Sequence, residues 1–371
     1  SLNKNHICFF TSSKGWGGLE RNMLVMARWM RDAGHRVEVA VPVGSQSWLQ
    51  GLGWGLSLSP SPDVSSGPVK GQVSTWTRGK RFDVLWIRDR RDLAFAGRAA
   101  RGWGAALVMQ QAMQIPRAKK APWHWLRYRR VDAWVCGLQH LKAECLARTP
   151  IDEARCHVLP LPLDDRWFAP AETSSAFREA LELPEGTWLL GTVGRLDPKK
   201  GQRIALQALA RLPEHVHWLF VGDNTVDNVR DERAALVEQA QSLGVAGRAH
   251  FLDAQSEVLP VYDALDAFVM TSDSETIGTV TLEAMAREVP VIGTDAGGTS
   301  ELLGAGRGQL VPPRNAEAMA QAVAVLMQES PEALADRTRK GRDYAAKCRP
   351  SQLIPAWEEL LASLVESRRK A

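Results

Sequence analysis

Apolar residues fall into short runs along this chain, and the runs alternate with stretches of helical period. His6-Ile-Cys-Phe-Phe-Thr11 reads as a strand and Gly15-Trp-Gly17-Gly18 as a glycine loop. Leu19, Met23, Met26, Ala27 and Met30 then recur at helical spacing until Gly34-His-Arg stops them. Val37-Glu-Val-Ala-Val41 is the next strand, which completes a strand–helix–strand unit and implies a parallel sheet. Further strands fit Asp83–Ile87, Ala106–Met109 and Ala133–Cys136. Residues 44–80, rich in Gly, Ser and Trp, show no clear period; a short strand or two and a loop are expected there. A Pro-rich break, Leu159-Pro-Leu-Pro-Leu163, and the polar stretch Ala171–Ser175 read as the linker between two domains.

A second α/β pattern comes next. Strands fit Trp188–Val193, His217–Val221, His250–Leu252, Ala267–Met270 and Val289–Ile292, with Gln309-Leu-Val as a short edge strand. The tail, Gln352–Glu366, has the pattern of an amphipathic helix. Two Rossmann-like domains facing each other across a cleft is the architecture this alternation predicts, with ligand at the C-terminal ends of the second domain's strands.

Composition narrows the class. At 371 residues the chain is long for one domain, and its 45% hydrophobic and 24% charged content suits a globular protein. No apolar run is long enough to span a membrane, and no signal peptide is visible. Five cysteines without paired spacing suit a reducing compartment and argue against a disulfide framework or a zinc site. A formal net charge of +4 gives no reason to expect a nucleic-acid partner. The basic residues are nevertheless uneven. Arg117 to Arg130 holds six Lys or Arg and three aromatics in fourteen residues, and the chain carries 14 Trp in all.

The chemistry concentrates in Ser272-Asp-Ser-Glu275-Thr-Ile-Gly278-Thr-Val-Thr-Leu-Glu283-Ala-Met-Ala286, where two carboxylates stand eight residues apart. The first reads as loop after a strand and the second as helix. A strand, a glycine turn and a helix start form a phosphate cradle, because the first helix N–H groups point at an anion. An acid a little over a turn inside the helix can accept hydrogen bonds from a ribose diol, and one in the loop can face a sugar. The plain alternative is a half-exposed helix made of good helix formers. The surroundings favour the first: Gly191-Thr-Val-Gly194-Arg195-Leu-Asp-Pro-Lys199-Lys200-Gly201 upstream and Pro290-Val-Ile-Gly-Thr-Asp-Ala-Gly-Gly-Thr-Ser-Glu301 downstream each read as strand, loop and helix start.

Together these motifs resemble the retaining glycosyltransferases of family 4, which have the GT-B fold and carry a Gly-Arg-Leu…Lys-Gly loop and two Glu separated by seven residues. The resemblance covers most of the chain and is stronger in its second half. It implies an N-terminal acceptor-binding domain over residues 1–168, with a C-terminal helix over 350–371 packing back on it, and a nucleotide-sugar-binding domain over residues 174–349. It implies that Arg195 and Lys200 stabilise the leaving diphosphate, that Glu275 lies by the donor sugar and Glu283 binds ribose, and that the N–H groups of Thr279 and Val280 contact phosphate or ribose. Lys-Lys-Gly as an ordinary surface helix start is the alternative, but cations there oppose the helix dipole unless an anion lies between them. Gly194, Gly222, Thr276, Ile277 and Gly278 complete the expected donor site. Thr276-Ile277-Gly278 departs from the family's Gly-Phe-Gly, which bears on the identity of the sugar.

In the first half, Gly17-Gly18-Leu19-Glu20-Arg21 matches the family's Gly-Gly-x-Glu loop, whose glycines let the backbone approach the diphosphate. A dinucleotide reading fails: Gly15-x-Gly17-x-x-Glu20 lacks the third glycine, and Pro42 stands where an acid should end the second strand. Where many family members carry a His, this chain has Met109-Gln110-Gln111. His124 and His140 are better read as structural or solvated. No Asp-x-Asp motif follows a strand, and neither a metal nor another cofactor is expected.

The glycine-rich start and the missing His are similar to bacterial lipopolysaccharide core and cell-surface polysaccharide glycosyltransferases. That implies transfer of a hexose, with a UDP-sugar favoured as donor, to a saccharide or lipid-linked acceptor. The expected location is the cytoplasm, at the inner face of the cytoplasmic membrane. Residues 117–130 would meet anionic lipid there, unless their tryptophans pack on the core. A non-catalytic sugar-nucleotide-binding homologue is the alternative; an epimerase or phosphorylase fits the placement of the acids and the chain length less well.

Overall fold

The computed structural model describes residues 4–171, 174–225 and 230–371. Glu172 and Thr173, within the expected linker, lie outside the described residues. The chain forms two compact units, Ser1–Pro162 with Cys348–Ala371, and Leu163–Lys347.

The first unit holds β1 (His6–Phe10), β2 (Arg36–Val41), β3 (Leu58–Pro60), β4 (Val84–Ile87), β5 (Ala106–Gln110), β6 (Ala133–Cys136) and β7 (Cys156–Val158). They form one parallel sheet in the order β3-β2-β1-β4-β5-β6-β7. β1, β4, β5 and β6 are buried almost throughout, which is why they appear in the sequence as continuous apolar runs and not as alternating ones. β2 runs outward from β1 and β4 starts on its other side, so the order reverses between β1 and β4.

Residues 44–80 hold more helix than expected. Helices Gln46–Gly53 and Val69–Trp76 flank the single strand β3. The first begins on Ser45, whose side chain accepts from the Trp48 N–H, and its Trp48 lies half-buried on the core. Tryptophan is abundant because it fills this fold: Trp86, Trp134, Trp218 and Trp357 are fully buried. All five cysteines are buried and unbridged.

The second unit holds β8 (Trp188–Val193), β9 (Val216–Val221), β10 (Ala249–Leu252), β11 (Ala267–Met270), β12 (Val291–Thr294) and β13 (Gln309–Val311), parallel in the order β10-β9-β8-β11-β12-β13. Here the order reverses between β8 and β11. β12 starts two residues later than the apolar run suggests. The Val289 N–H is spent on Ala284 O at 3.0 Å, closing the preceding turn, and Pro290 has no N–H to give.

The chain changes unit at Leu163, earlier than residue 168, because Trp167 and Phe168 pack into the second unit. The Trp167 ring meets Tyr262 edge-on at 5.9 Å, and the Arg287 guanidinium donates to Trp167 O at 3.1 Å and Ala169 O at 2.6 Å. The return comes at Cys348. The helix Pro350–Lys370 then closes the first unit, burying Leu353, Trp357, Leu361 and Val365 as one stripe four residues apart. Trp357 packs on Trp86 of β4 with ring centroids 4.1 Å apart. Glu358 accepts from Lys4 at 2.6 Å and lies 2.8 Å from the His35 ring, and Arg368 pairs with Asp132. Among the described residues no helix is long and apolar enough to cross a membrane.

The Trp357 indole N–H is buried without a hydrogen-bond partner, so the residue acts through its apolar volume. Trp357→Ala should therefore cost about 3–5 kcal/mol, and Trp357→Phe only about 1 kcal/mol. Urea unfolding of the two variants tests this; equal losses would show that packing on Trp86 is not what holds the helix.

Candidate functional site

Four loops leave the C-terminal ends of β8, β9, β11 and β12. The strand order reverses between β8 and β11, so the helices that follow these strands leave towards opposite faces of the sheet, and a notch opens beside their first turns. The sequence-predicted donor residues of the second unit line these loops.

After β8 come Gly194 and the exposed Arg195, then a short turn at Pro198–Lys200 that is capped by Asp197, which accepts from the Lys199 N–H at 2.9 Å. Gly201 begins the helix Gln202–Leu209 at φ +76°. A Cβ at Gly201 would lie 1.9 Å from Thr271 O, so only glycine lets the two loops touch backbone to backbone. Three more contacts join them. Thr271 Oγ1 donates to Lys200 O at 2.6 Å, the Asp273 N–H donates to Lys199 O at 3.0 Å, and Lys200 Nζ reaches Glu275 Oε1 at 2.7 Å. Ser272 Oγ donates to the same carboxylate oxygen at 2.7 Å. The candidate phosphate cation and the candidate sugar-facing acid thus meet across the reversal, although they are 75 residues apart in sequence.

Glu275 is also fixed through its backbone. It bridges to Gly297 in the loop after β12, and its carbonyl accepts from the Gly298 N–H at 2.7 Å. A Cβ at Gly297 would lie 2.1 Å from that carbonyl, which explains a glycine in this loop. Thr294 Oγ1 donates to Ser272 O at 2.6 Å and braces the other side.

Beyond Glu275, Thr276 is half-buried, Ile277 is buried, and Gly278 opens the helix Thr279–Ala286. Thr279 and Val280 are its first two residues, whose N–H groups have no acceptor within the helix. Glu283 stands one turn in and accepts from the Tyr262 hydroxyl at 2.8 Å. Tyr262 is fully buried. Burial, and after it the Glu283 carboxylate, pushes its phenol well above the ordinary range, so it stays a donor that orients Glu283. Gly222 and Asp223 follow β9: the Gly194 N–H donates to Val221 O at 2.9 Å, and Asp223 accepts from the Ala254 N–H at 2.9 Å.

The roles of Tyr262 and Thr294 escaped the sequence reading, because each acts on a residue from another loop or helix. Ser272 stands inside the motif over residues 272–286, but no role was read for it there.

In the first unit, Gly17 precedes the helix Gly18–Asp32. A Cβ on Gly17 would meet only Glu20 Oε2, at 3.7 Å, and one on Gly18 would meet nothing within 4 Å, so the space beside this loop is open. Glu20 is buried and accepts from Ser13 Oγ at 3.2 Å. The two glutamines in the position of the family His are buried, and their carbonyl oxygens are taken: Gln110 accepts from the Trp86 indole at 3.1 Å, and Gln111 from the Trp134 indole at 2.9 Å. His124 lies between Trp123 and Tyr128, and His140 is exposed on the helix Gln139–Arg148.

Within the basic aromatic segment, residues Pro122–Tyr128 form a short helix with Pro122 in its first turn. Its tryptophans do not pack on the core: Trp123 is 61% and Trp125 56% exposed.

Comparison with known proteins agrees with this architecture. The model of "Glycosyltransferase Family 4" matches residues 16–167, and that of "Glycosyl transferases group 1" matches residues 173–344. The lipopolysaccharide core biosynthesis glycosyltransferase LpsE of Rhizobium meliloti is 33% identical over 154 residues, which is 41% of this chain and 43% of LpsE. The chain spans about half the length of the curated relatives it matches, 43% and 51% in two of them. Two solved structures share the fold. A glycosyltransferase from Rickettsia africae superposes with a TM-score of 0.87 at 19% identity, over 98% of this chain and 99% of that one. Anabaena Alr3699/HepE, in complex with UDP and glucose, superposes with a TM-score of 0.81 at 22% identity, over 97% of this chain and all of that one (100%). Through both halves and the shared fold, the chain belongs to the family-4-like glycosyltransferases of the GT-B fold.

Proposed function

We propose that this chain is a retaining glycosyltransferase that moves a hexose from a UDP-sugar to a saccharide or lipid-linked acceptor in lipopolysaccharide or surface-polysaccharide synthesis. The observation that carries the reading is Lys200 held 2.7 Å from Glu275 across the strand reversal, beside the start of the helix Thr279–Ala286. The similarity to LpsE, a lipopolysaccharide core biosynthesis glycosyltransferase, and to HepE, which was solved with UDP and glucose, supports the substrate class.

In this reading the diphosphate lies between Arg195, Lys200 and the N–H groups of Thr279 and Val280, with Glu283 on the ribose hydroxyls. Gly194, Gly222 and Thr276–Gly278 wall the same site. As the bond from sugar to phosphate oxygen breaks, negative charge gathers on the leaving diphosphate, and the two cations and the helix dipole stabilise it. Lys200 is pre-set by Glu275, so little reorganisation is needed when charge appears. The acceptor hydroxyl forms the new bond on the same face of the sugar, and its proton passes to the departing phosphate oxygen. Positive charge comes from side chains and backbone alone, so neither a metal nor another cofactor is required.

Residues 117–130 extend the proposal to a membrane surface. Trp123, Trp125 and Leu126 are exposed beside the exposed Arg117, Lys120, Arg127 and Arg129, the mixture that settles at an anionic headgroup layer. The acceptor would then be met at the inner face of the cytoplasmic membrane.

Three outcomes are expected. Lys200→Gln and Glu275→Gln should each lower kcat by about 10²–10³-fold; full turnover in Glu275→Gln would overturn the site. Calorimetry should show UDP binding unaffected by EDTA and weakened by roughly tenfold or more in Glu283→Gln, with Tyr262→Phe losing less; UDP binding without turnover on any acceptor would mark a non-catalytic homologue. Replacing both Trp123 and Trp125 with Ser should cut binding to vesicles containing anionic lipid by about tenfold, and undiminished sedimentation with the vesicles would remove the membrane reading.

A further inference from the structure

The first unit has its own strand reversal, between β1 and β4, and a pocket of about 520 Å³ opens beside it. Arg88, Arg90, Arg91, Lys119 and Arg127 line it, against the single carboxylate of Asp89. That carboxylate is already taken, since the Arg91 guanidinium holds it with contacts of 2.9 and 2.6 Å. The wall therefore carries a surplus of positive charge. Clusters of like charge repel one another unless an anion joins them.

Arg88 gives the second, independent sign. It is 4% exposed, yet it remains a cation: burial lowers its pKa to about 10, with Glu20 acting in the opposite direction. Nη1 donates to Leu19 O at 3.1 Å, which ties the end of β4 to the first turn of the helix Gly18–Asp32. Its Nε–H is buried and has no hydrogen-bond partner. A buried guanidinium with an idle donor is costly, and an anion in the pocket that Arg88 lines would offset its charge. Floor and walls beside it are apolar and aromatic, with Leu93, Met109 and Tyr128, and the volume falls in the range of small-molecule sites and well above that of a bare ion.

We infer that this pocket binds the phosphate group of a phosphorylated saccharide, with Arg88 and the Lys119 and Arg127 side chains as its recognition groups. The inference rests on the proposed transfer reaction in one respect, that this saccharide is the acceptor. Phosphate is favoured over carboxylate because its double negative charge and its oxygens match several cations at once, where a carboxylate matches one guanidinium fork. The specificity then lies in this chain's own Arg88-Asp89-Arg90-Arg91 loop and in the segment after β5.

The test uses the full chain with UDP saturating, so that the second unit's cradle is filled. Calorimetry would compare glucose 6-phosphate, glucuronate and glucose. Glucose 6-phosphate should bind at least about tenfold more tightly than either of the others. Arg88→Gln should weaken it by about tenfold, and so should the surface double variant Lys119→Gln with Arg127→Gln, which is expected to fold even if Arg88→Gln does not. Lys200→Gln should leave it unchanged. Equal binding of glucose, equal binding of glucuronate, or full affinity in the Lys119/Arg127 double variant would each overturn the inference. If UDP does not bind at all while glucose 6-phosphate still discriminates, the transfer reading fails and the phosphosaccharide pocket stands.

Discussion

The candidate donor site depends on a backbone contact that only glycine permits. Gly201 lets the loop after β8 lie directly on the loop after β11, where a side chain would collide with Thr271 O at 1.9 Å. This contact sets the rest of the site. Thr271 can reach Lys200 O, Asp273 can reach Lys199 O, and Lys200 is delivered to Glu275. The loop after β12 presses in the same way through Gly297, with a bridge to Glu275 itself. Lys200 and Glu275, on two separate loops, thereby have their backbones placed by main-chain contacts, which are stiffer than any arrangement built from long side chains alone. Electrostatic stabilisation of a leaving group requires that stiffness, because a dipole that must first reorient spends part of its effect on the reorientation.

The two units use the same topological device for different chemistry. In each, the strand order reverses once and the helices that follow the two strands leave towards opposite faces of the sheet. In the second unit the notch is lined by one paired cation, one exposed cation and a helix start, which suits a charge that develops during reaction. In the first unit it is lined by arginines whose charges exceed their partners, which suits a charge that is present from the outset. On the proposed reading a single fold carries a site suited to a changing charge and a site suited to a fixed one, and the difference lies in the loops that leave β4 and β8.

Much of this was legible in the sequence, for physical reasons that differ from place to place. The central strands could be read because burial on both faces leaves continuous apolar runs, such as Val84–Ile87 and Ala267–Met270. The GT-B fold and the family could be read because Gly-Arg-Leu…Lys-Gly and the paired Glu stand close together in sequence, in the loops after β8 and β11 and the helix Thr279–Ala286. Residues 44–80 could not, since their helices are short and Trp48, Trp54 and Trp76 mix core-facing and surface positions without a period. The unit boundary at Leu163 was hidden because Trp167 and Phe168 are fixed by Tyr262, Arg287 and Arg342, all far along the chain. Tyr262 was hidden for the same reason: nothing near it in sequence says that its hydroxyl serves Glu283.

The glutamines after β5 show how a reading by position and a reading by contact differ. Gln110 and Gln111 occupy the place where the family resemblance leads one to look for a group that touches the reacting sugar. Their carbonyl oxygens are instead held by the indoles of Trp86 and Trp134, both fully buried. Trp86 in turn carries Trp357 on its other contact, so Gln110 belongs to a column that runs from the sheet into the last helix. A carboxamide whose oxygen is already satisfied in the core is a poor partner for a substrate hydroxyl, because breaking the indole bond would leave a buried N–H unpaired. Arg88 stands in the opposite condition, buried, charged and with a donor idle. Where an absent His leaves the first unit without an obvious polar group, the buried charge of Arg88 beside the pocket, and not the residue in the inherited position, points to where a ligand would be held.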